Sequence, residues 1–511
     1  MVMYARNHIT PDSALGGWQM KRSLRWEGTT GGTYSYLYRT GSSPTGGGKY
    51  SYSSWIKRVS RDEQTCLWGA GGGSQTNTHA EGIYITSSNQ IALIYRGAVG
   101  GGSVGWYAYS KNLIRDYGSW YHIMLTYDNN QSGISNKIKY YFNGVEVPYY
   151  SGVGSPGDLE FVNKSGVTQY IGRMDQGSGP GAARVYQAET HVADGYIWTP
   201  SDFGYTDAQT GQWRPKRPQD ISVDYGNNGF YLDYADNTST STIGIDRSGN
   251  SNNWTASGFS VSTGSDNDSM IDTPTNNFPT LNTLDRQGNA PSDGNLQGGT
   301  AGTSGWRHTR STVPLPSSGK WYWEYKVPDA SADGSNGWIT GLAYSNFGLT
   351  QDINSDSTGL YGRQTDSKYN NSSGSPVTNS HFTSPSNNDI LQYAYDADSQ
   401  TLFTGRNNTW ELSANPSTGA NPNWTGVASG GFPMAGSYGS SRYVIINFGQ
   451  QGFSYTPPTG YRSLSGKNRA TPLAAGVVNP KRNFAVINYS GNASTNKITG
   501  LEFKPDCVWS K

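Results

Sequence analysis

Apolar and polar residues alternate in many parts of this chain, and the pattern is clearest at residues 320–327. Every second residue there is large and apolar, namely Trp321, Trp323, Tyr325 and Val327, while the residues between them are largely polar. Successive side chains of a β-strand point to opposite faces, so this period of two predicts a strand with one buried face. A helix would need a period of 3.6 residues, which this segment does not show.

The same alternation predicts a β-hairpin in the first half of the chain. Residues 120–127 and 137–142 each place apolar side chains at every second position and are interpreted as strands. Asn143 and Gly144 follow directly, and this pair suits the two positive φ angles of a type I′ turn. Residues 145–147 then return as the partner strand.

The second half of the chain contains further predicted strands, at residues 390–396 and 401–408. Helices are not expected, because Gly, Ser, Thr and Asn interrupt nearly every window long enough for three helical turns. With 67 glycines, 36 tyrosines and 16 tryptophans, the composition suits many short strands joined by tight turns. We therefore predict an all-β fold of tandem antiparallel β-sandwiches.

The chain of 511 residues is too long for one ordinary domain, and its composition divides it into five parts. Residues 1–20 form an N-terminal segment and residues 21–235 a first sandwich. Residues 236–300 are rich in Ser, Thr, Asn, Asp and Gly, which bury too little apolar surface to offset conformational entropy, so an extended connector is expected. Residues 301–465 form a second sandwich. Residues 466–511 begin a third β unit.

The third unit is predicted from residues 484–489 and 500–505, which are interpreted as short strands. Two or three strands cannot enclose a core by themselves. Two alternatives follow. Either the polypeptide continues beyond Lys511, which we favour, or these strands complete a sheet on another subunit.

Charge and hydropathy exclude two classes of partner. The formal net charge is +1 and no basic run is evident, so no nucleic-acid partner is expected. No apolar stretch approaches the ~20 residues of a membrane span, so no membrane insertion is expected. Residues 1–10 lack the apolar core of a secretory signal, which predicts synthesis in a cytoplasm. Cys66 and Cys507 fall in different modules, and no disulfide bond is expected between them.

The sequence lacks the usual catalytic and metal-binding patterns. No two glutamates have the spacing of a laminarinase-type glycosidase, and the histidines form no H-x-H or H-x-x-x-H pair. His122 lies among aromatic residues and is interpreted as structural. The acidic turns at residues 128–130 and 266–268 are interpreted as solvated turns rather than calcium sites. We therefore expect no enzymatic activity, no cofactor and no metal ion.

Saccharide binding would need aromatic faces for sugar C–H groups, with hydrogen-bonding groups nearby. The candidates in loop-like contexts are Trp68, Trp106, Tyr107 and Tyr109 in the first sandwich, and Trp306, Tyr369, Asn370 and Trp410 in the second. For each of them, packing at the end of a sandwich or against a neighbouring subunit is the alternative interpretation.

Four segments of the first sandwich together carry a family resemblance. They are residues 54–57 (SWIK), 119–122 (SWYH), 140–145 (YYFNGV) and 170–173 (YIGR). Their order and spacing resemble the laminin-G/concanavalin-A-like lectin sandwich, in which a W-Y-H-like strand precedes one ending in N-G and an I-G strand follows. Residues 190–195 are less apolar than the late strand of that family, which leaves the final strand pairing open.

The second sandwich resembles the SPRY domain in its opening strand at residues 319–325 and its closing strand at residues 444–449. The strands at residues 390–396 and 401–408 match the central pair, although the hairpin residues 405–408 depart from the family pattern. The resemblance implies a β-sandwich that recognises partners through its loops and performs no chemistry.

The order of the parts resembles large appendage proteins of tailed bacteriophages. A lectin-like sandwich, a DxSGNxNNW segment at residues 246–254, a SPRY-like sandwich and a GLxFKPDxVW segment at residues 500–509 follow one another. The resemblance implies a tail- or head-fibre protein on the virion surface, a homotrimer that contacts other virion proteins and a host glycan or receptor. A secreted bacterial adhesin or lectin and a polysaccharide depolymerase are the alternatives.

Overall fold

The fold is seen in a computed structural model. It describes residues 18–26, 35–46, 48–59, 64–71, 79–97, 104–153, 162–173, 183–207, 211–288, 290–299, 305–330, 337–351, 359–365, 367–369, 381–438 and 442–469. Its short helices are Ile134–Lys137 and Gly466–Arg469, with 3₁₀ turns at Pro200–Asp202, Pro218–Asp220, Thr240–Thr242 and Glu411–Ser413. Every helix in this part of the chain is too short to cross a membrane.

The first sandwich consists of two antiparallel sheets. Its strands are β1 (Ser23–Arg25), β2 (Tyr36–Thr40), β3 (Lys49–Arg58), β4 (Thr65–Gly71), β5 (His79–Ile85), β6 (Gln90–Gly97), β7 (Val104–Leu113), β8 (Trp120–Asp128), β9 (Ile138–Phe142), β10 (Val145–Val147), β11 (Tyr149–Val153), β12 (Thr168–Ile171), β13 (Val185–Asp194), β14 (Gly204–Thr206), β15 (Trp213–Pro215), β16 (Phe230–Leu232), β17 (Thr255–Ser257) and β18 (Ser269–Met270). One sheet has the order β10-β9-β8-β3-β13-β1-β18 with β16 paired to β13, and the other β11-β7-β6-β5-β4-β12-β2-β17. The hairpin β14-β15 lies outside both sheets.

The predicted hairpin is confirmed. Asn143 and Gly144 have φ angles of 47° and 82°, the two positive values that a type I′ turn needs. They join β9 to β10, where Val145 pairs with Phe142. The short turn sets the register of these two strands locally, which explains why sequence alone located them.

The pairing that residues 190–195 left open is resolved, because β13 lies in the middle of its sheet between β3 and β1. Every residue of β13 is buried although several are polar. These polar groups have partners: Gln187 donates to the Tyr52 hydroxyl at 2.9 Å, and the Tyr234 hydroxyl donates to Thr190 at 2.9 Å. Hydrogen bonding, rather than apolar character, makes this central position possible.

The second sandwich is also formed by two sheets. Its strands are β19 (Leu281–Arg286), β20 (Gln297–Gly298), β21 (Trp306–Ser311), β22 (Lys320–Val327), β23 (Trp338–Ala343), β24 (Leu360–Gln364), β25 (Ser367–Tyr369), β26 (Asp389–Asp396), β27 (Thr401–Arg406), β28 (Thr409–Trp410), β29 (Phe432–Tyr438), β30 (Val444–Asn447) and β31 (Arg462–Ser463). The sheet orders are β19-β21-β29-β23-β24-β25 and β20-β30-β22-β26-β27-β28, with β31 parallel to β22. The predicted all-β fold class of tandem sandwiches is therefore confirmed.

Strand β22 differs from the prediction on one face. Its large aromatic residues enter the core as expected, but the opposite face is covered as well. Tyr322 packs edge-on against Phe453 at 4.7 Å between ring centroids. The Glu324 carboxylate accepts the N–H groups of Ser454 and Tyr455 at 2.8 and 3.0 Å. A segment more than a hundred residues away thus buries the second face of β22 at Tyr322 and Glu324.

The predicted extended connector at residues 236–300 is corrected by the structure. Strand β17 pairs with β2, β18 pairs with β1, and β19 and β20 belong to the second sandwich. Trp254 lies in the first core, and Phe278 and Leu296 lie in the core cluster of the second sandwich. The polar composition of this segment wrongly indicated an extended connector. Its side chains form hydrogen bonds with neighbouring backbone groups, and these bonds offset the free-energy cost of burying polar groups.

Asp246 shows how this segment is held. Its carboxylate accepts the backbone N–H groups of Tyr231, Ser248 and Asn252 at 2.8–2.9 Å, and the Ser248 hydroxyl at 2.8 Å. Asp246→Ala leaves these donors without an acceptor, and we expect it to lower the free energy of unfolding by about 1–3 kcal/mol in urea titrations. The control is Asp224→Ala, since Asp224 is exposed and accepts one backbone N–H, from Gly226. An equal effect of both variants would contradict this role.

The two sandwiches share a seam of buried contacts. Val59, Tyr186 and Met270 from the first sandwich belong to one apolar cluster with Phe278 and Leu281. Because this apolar cluster contains residues of both sandwiches, the two sandwiches pack directly against each other.

Charged groups reinforce the seam. Lys57 Nζ lies 2.7 Å from Asp272 Oδ2, and both side chains are fully buried. Arg25 lies 2.8 Å from Asp268 and also contacts Asp293. Asp268 and Asp272 flank β18, and Asp293 lies between β19 and β20 of the second sandwich.

The first and last described residues lie side by side. The Met20 N–H donates to Thr275 Oγ1 at 3.0 Å, Lys467 N donates to Asn276 Oδ1 at 3.0 Å, and Lys467 Nζ lies 3.5 Å from Gln19 Oε1. The predicted third unit, apart from residues 466–469, lies outside the described residues.

Candidate functional site

The outer face of the sheet β8-β3-β13 is overlaid by a covering segment, residues 196–207 and 211–221. Trp198 and Phe203 pack against Met124 and Ala193 of that sheet. Trp198 N–H also donates to Ser51 Oγ at 2.9 Å. The aromatic pieces of this segment are therefore used for packing, and they close a polar region of the sheet from solvent.

A polar cluster lies beneath the covering segment. A β-bulge in β13 between Ala188 and His191 puts Glu189 at φ 49°. The Tyr231 hydroxyl donates to the Glu189 carboxyl group and its ring stacks on His191 with centroids 4.2 Å apart. Positive φ is unusual for glutamate, so the surrounding contacts must stabilise this bulge.

Burial determines the charge of the histidines and the glutamate. It lowers the pKa values of His122 and His191 to about 3 and raises the pKa of Glu189 to about 8. Both histidines are therefore uncharged at neutral pH, and Glu189 is mostly protonated. Neutral side chains have a smaller desolvation cost than charged ones, so these groups can be buried beneath the covering segment.

Ser53 and His122 are close enough to be considered as a serine nucleophile and its general base. Ser53 Oγ and His122 Nε2 share a hydrogen bond of 2.8 Å. A serine nucleophile needs access to substrate and an orienting partner on the second ring nitrogen. Both residues are buried, and among the described residues Nδ1 of His122 has no hydrogen-bond partner. The geometry fits the interpretation of His122 as a structural residue.

A cleft opens beside the covering segment, next to the chain segment that joins the two sandwiches. This junction cleft has a volume of about 340 Å³ and is lined by Trp18, Tyr205, Arg214, Pro215, Lys216, Arg217, Asp220 and Thr275. Strands β14 and β15 and the 3₁₀ turn after them supply one wall. Trp18 and Thr275 come from segments joined by the hydrogen bond between Met20 and Thr275. The cleft is therefore bounded by the first sandwich and by the segment that links it to the second.

The lining of the cleft combines aromatic and charged groups. Tyr205 is 38% exposed, so part of its ring surface is available to a ligand. Arg214 is buried and donates to Asp207 Oδ2 at 2.9 Å, which anchors the wall. Small-molecule sites are typically clefts of about 300–1,000 Å³ with aromatic walls and a few polar groups. The cleft matches this description and suits a ligand the size of one or two sugar rings.

The aromatic residues predicted to bind ligand do not line this cleft. Trp68 lies on β4 with 1% of its surface exposed, between sheets and near Tyr50 and Tyr52. The expected loop position of Trp68 is therefore corrected to a core strand. Trp106, Trp306 and Tyr369 are likewise buried strand residues. Packing against apolar neighbours accounts for all four positions.

The remaining predicted residues have some exposed surface or cannot be placed. Tyr107 and Tyr109 lie on β7 and stack on each other with centroids 4.5 Å apart. Trp410 is half-buried on β28 beside Ala414. Asn370 lies outside the described residues. Tyr107 and Tyr109 lie in the first sandwich and Trp410 in the second, and the binding role of these residues and of Asn370 stays a prediction.

The sequence carries one local signal for the cleft, in residues 214–217. Arg214, Lys216 and Arg217 place three cations within four residues, beside a proline and after Trp213. The expectation of no basic run overlooked this short cluster. Trp18 and Thr275 could not be linked to it, since only the folded chain brings these distant segments together.

The acidic turns considered for calcium have protein partners. Asp128 accepts the Asn130 N–H at 3.0 Å, and Lys49 Nζ lies 3.5 Å from it. Asp266 pairs with Lys326 at 3.0 Å. Within the described ranges, no three His, Cys, Asp or Glu side chains converge in a way that would hold a metal ion.

Comparison with known proteins gives the class of the first sandwich. Residues 30–185 match the concanavalin A-like lectin/glucanases superfamily. This match spans less than half of the chain. The first sandwich is therefore similar to laminin-G/concanavalin-A-like domains. No curated protein matches the chain.

Several solved structures are similar to the chain at low identity. Domains LG4-5 of the mouse laminin alpha1 chain are 9% identical, with a TM-score of 0.27, over 86% of this chain and 95% of that one. The SPRY domain of human HERC1 is 13% identical, with a TM-score of 0.26, over 32% of this chain and 96% of that one. Tailspike protein 2 of Escherichia coli O157:H7 bacteriophage CAB120 is 14% identical, with a TM-score of 0.25, over 37% of this chain and 24% of that one.

Proposed function

We propose that this protein is a non-catalytic saccharide-binding protein on the surface of a tailed-phage virion, a tail or head fibre or a related appendage. The junction cleft carries the binding part of this proposal, because its size and its aromatic and charged lining suit a sugar. The order of the sequence modules supports the virion part. The partners are then other virion proteins and a host-surface glycan or receptor, with the chain assembled as a trimer.

The absence of catalysis is part of the same proposal. It is supported by the spacing of the glutamates in the sequence and by the burial of Ser53, His122 and His191 beneath the covering segment. A group that cannot meet substrate cannot act on it. The chain then retains its ligand instead of cleaving it, as an adsorption protein requires.

Analysis of purified phage particles tests the virion assignment. We expect mass spectrometry to find the protein in particles, and electron microscopy with specific antibodies to find it on their surface. Its absence from particles, with the protein free in the medium, would favour a secreted adhesin or lectin. Release of reducing sugar from host polysaccharide by the purified chain would favour a depolymerase.

A substitution in the cleft tests the binding assignment. Tyr205→Ala removes an exposed ring that we expect to pack on sugar C–H groups, and affinity for purified host-surface polysaccharide should fall about tenfold. Isothermal titration calorimetry with the full chain measures this change. Tyr150→Ala is the matched control, because Tyr150 is 62% exposed on β11, outside the cleft lining. Equal affinities of the two variants would contradict a role for the cleft.

A further inference from the structure

We infer that the junction cleft selects acidic saccharides, namely sugars that carry a carboxylate group. This inference rests on the proposed saccharide-binding function and specifies its ligand class. It depends on the charges of the lining and on their partners, which can be read residue by residue.

The lining has one net positive charge. Arg214 is paired with Asp207 and contributes no excess charge. Lys216 and Arg217 add two positive charges, and Asp220 adds one negative charge. No ion pair within the described part of the chain involves Lys216 or Arg217. A single carboxylate on the ligand would balance this excess.

The positive charge of Lys216 is not neutralised by the carboxyl group on its inner side. Lys216 and Pro215 line both the junction cleft and a small cavity beneath the covering segment, which Glu189 also lines. Glu189 is the one carboxyl group among the residues that line this small cavity, and burial raises its pKa to about 8. It is therefore mostly protonated at neutral pH and does not compensate the lysine.

The chemistry of the lining favours a sugar carboxylate over a doubly charged sugar phosphate. The planar guanidinium of Arg217 can donate two parallel hydrogen bonds to a carboxylate, and the ammonium of Lys216 adds a point charge. Tyr205 offers a ring for sugar C–H groups, and Asp220 can accept a sugar hydroxyl. Asp220 also opposes a doubly charged phosphate group. A monocarboxylate sugar uses all four groups.

The test measures binding of the full chain to uronic-acid and sialic-acid oligosaccharides and to the same compounds after reduction of their carboxylates to alcohols. We expect at least one acidic compound to bind about tenfold more tightly than its reduced form. Arg217→Gln and Lys216→Met should each remove most of this preference. Raising the salt concentration from about 0.05 to about 0.5 M should weaken binding of the acidic form only.

The control variant is Lys111→Met, which removes an exposed lysine on β7 of the first sandwich, and it should leave the preference unchanged. Equal binding of acidic and reduced forms, or loss of the preference in Lys111→Met, would overturn the inference while the proposed function stands. Failure of the chain to bind any acidic, reduced or neutral host saccharide would overturn both. Circular dichroism confirms that each variant is folded.

Discussion

Asp272→Ala is expected to lower the free energy of unfolding by about 3–5 kcal/mol, because it leaves the buried Lys57 without its counter-charge. Lys57 Nζ also donates to Asn277 Oδ1 at 2.7 Å and to the Phe278 carbonyl at 2.8 Å. The Trp120 indole donates to Asp272 Oδ1 at 2.8 Å. Asp272 therefore satisfies two donors from the first sandwich at the seam, and urea titration measures the loss.

A second pair across the same seam is the control for this prediction. Lys326 Nζ lies 3.0 Å from Asp266, but the Asp266 side chain is 64% exposed. Asp266→Ala should cost no more than about 1 kcal/mol, since water screens an exposed pair. The double variant Lys57→Met with Asp272→Leu should recover much of the stability lost in Asp272→Ala. Similar losses in Asp272→Ala and Asp266→Ala would show that the buried pair does not stabilise the seam.

Stability should fall as the pH rises from about 6.5 to about 8, and Glu189→Gln should remove most of this fall. The pKa of Glu189 is about 8 in the folded state against an ordinary value of 4.5, so in this range the folded state binds the proton more tightly than the unfolded state. Deprotonation at higher pH then places a charge in a buried site. The expected slope is about 1.4 kcal/mol per pH unit.

The histidines of the polar cluster act in the opposite sense. Burial lowers the pKa values of His122 and His191 to about 3 from an ordinary 6.5, so the unfolded state binds more protons as the pH falls below 6.5. Their contribution to stability is therefore lost on acidification. Thermal unfolding of the wild type and of Glu189→Gln from pH 5 to pH 8.5 measures both limbs. An equal loss of stability above pH 6.5 in the wild type and in Glu189→Gln would contradict the prediction that Glu189 causes this loss.

Local signals in the sequence predicted the parts of the fold that depend on few residues. The turn at Asn143 and Gly144 fixes its own strands, and the alternation within β22 placed Trp321 and Trp323 in the core. The other face of β22 was predicted to be polar and open. Its cover, Phe453 and the residues after it, lies too far along the chain for any local pattern to reveal it.

The candidate site was less predictable because it is assembled from three distant segments. Aromatic residues beside glycine runs, such as Trp68, were expected in loops, but a glycine run can also follow a tryptophan that lies in a strand. Only the burial of the side chain in the folded protein distinguishes a loop tryptophan from a strand tryptophan. The junction cleft depends on Trp18, the region around Lys216 and Thr275, and only the folded chain brings these distant residues together.

Gln19 and Lys467 lie beside each other, so the two ends of the described part of the chain are adjacent in space. Domains with adjacent ends tolerate insertion into other proteins and circular permutation. The pair of sandwiches, with its cleft intact, is therefore a unit that recombination can move between proteins without redirecting the polypeptide on either side. If the junction cleft binds the saccharide proposed above, exchange of such a unit would change the recognised ligand in a single genetic step.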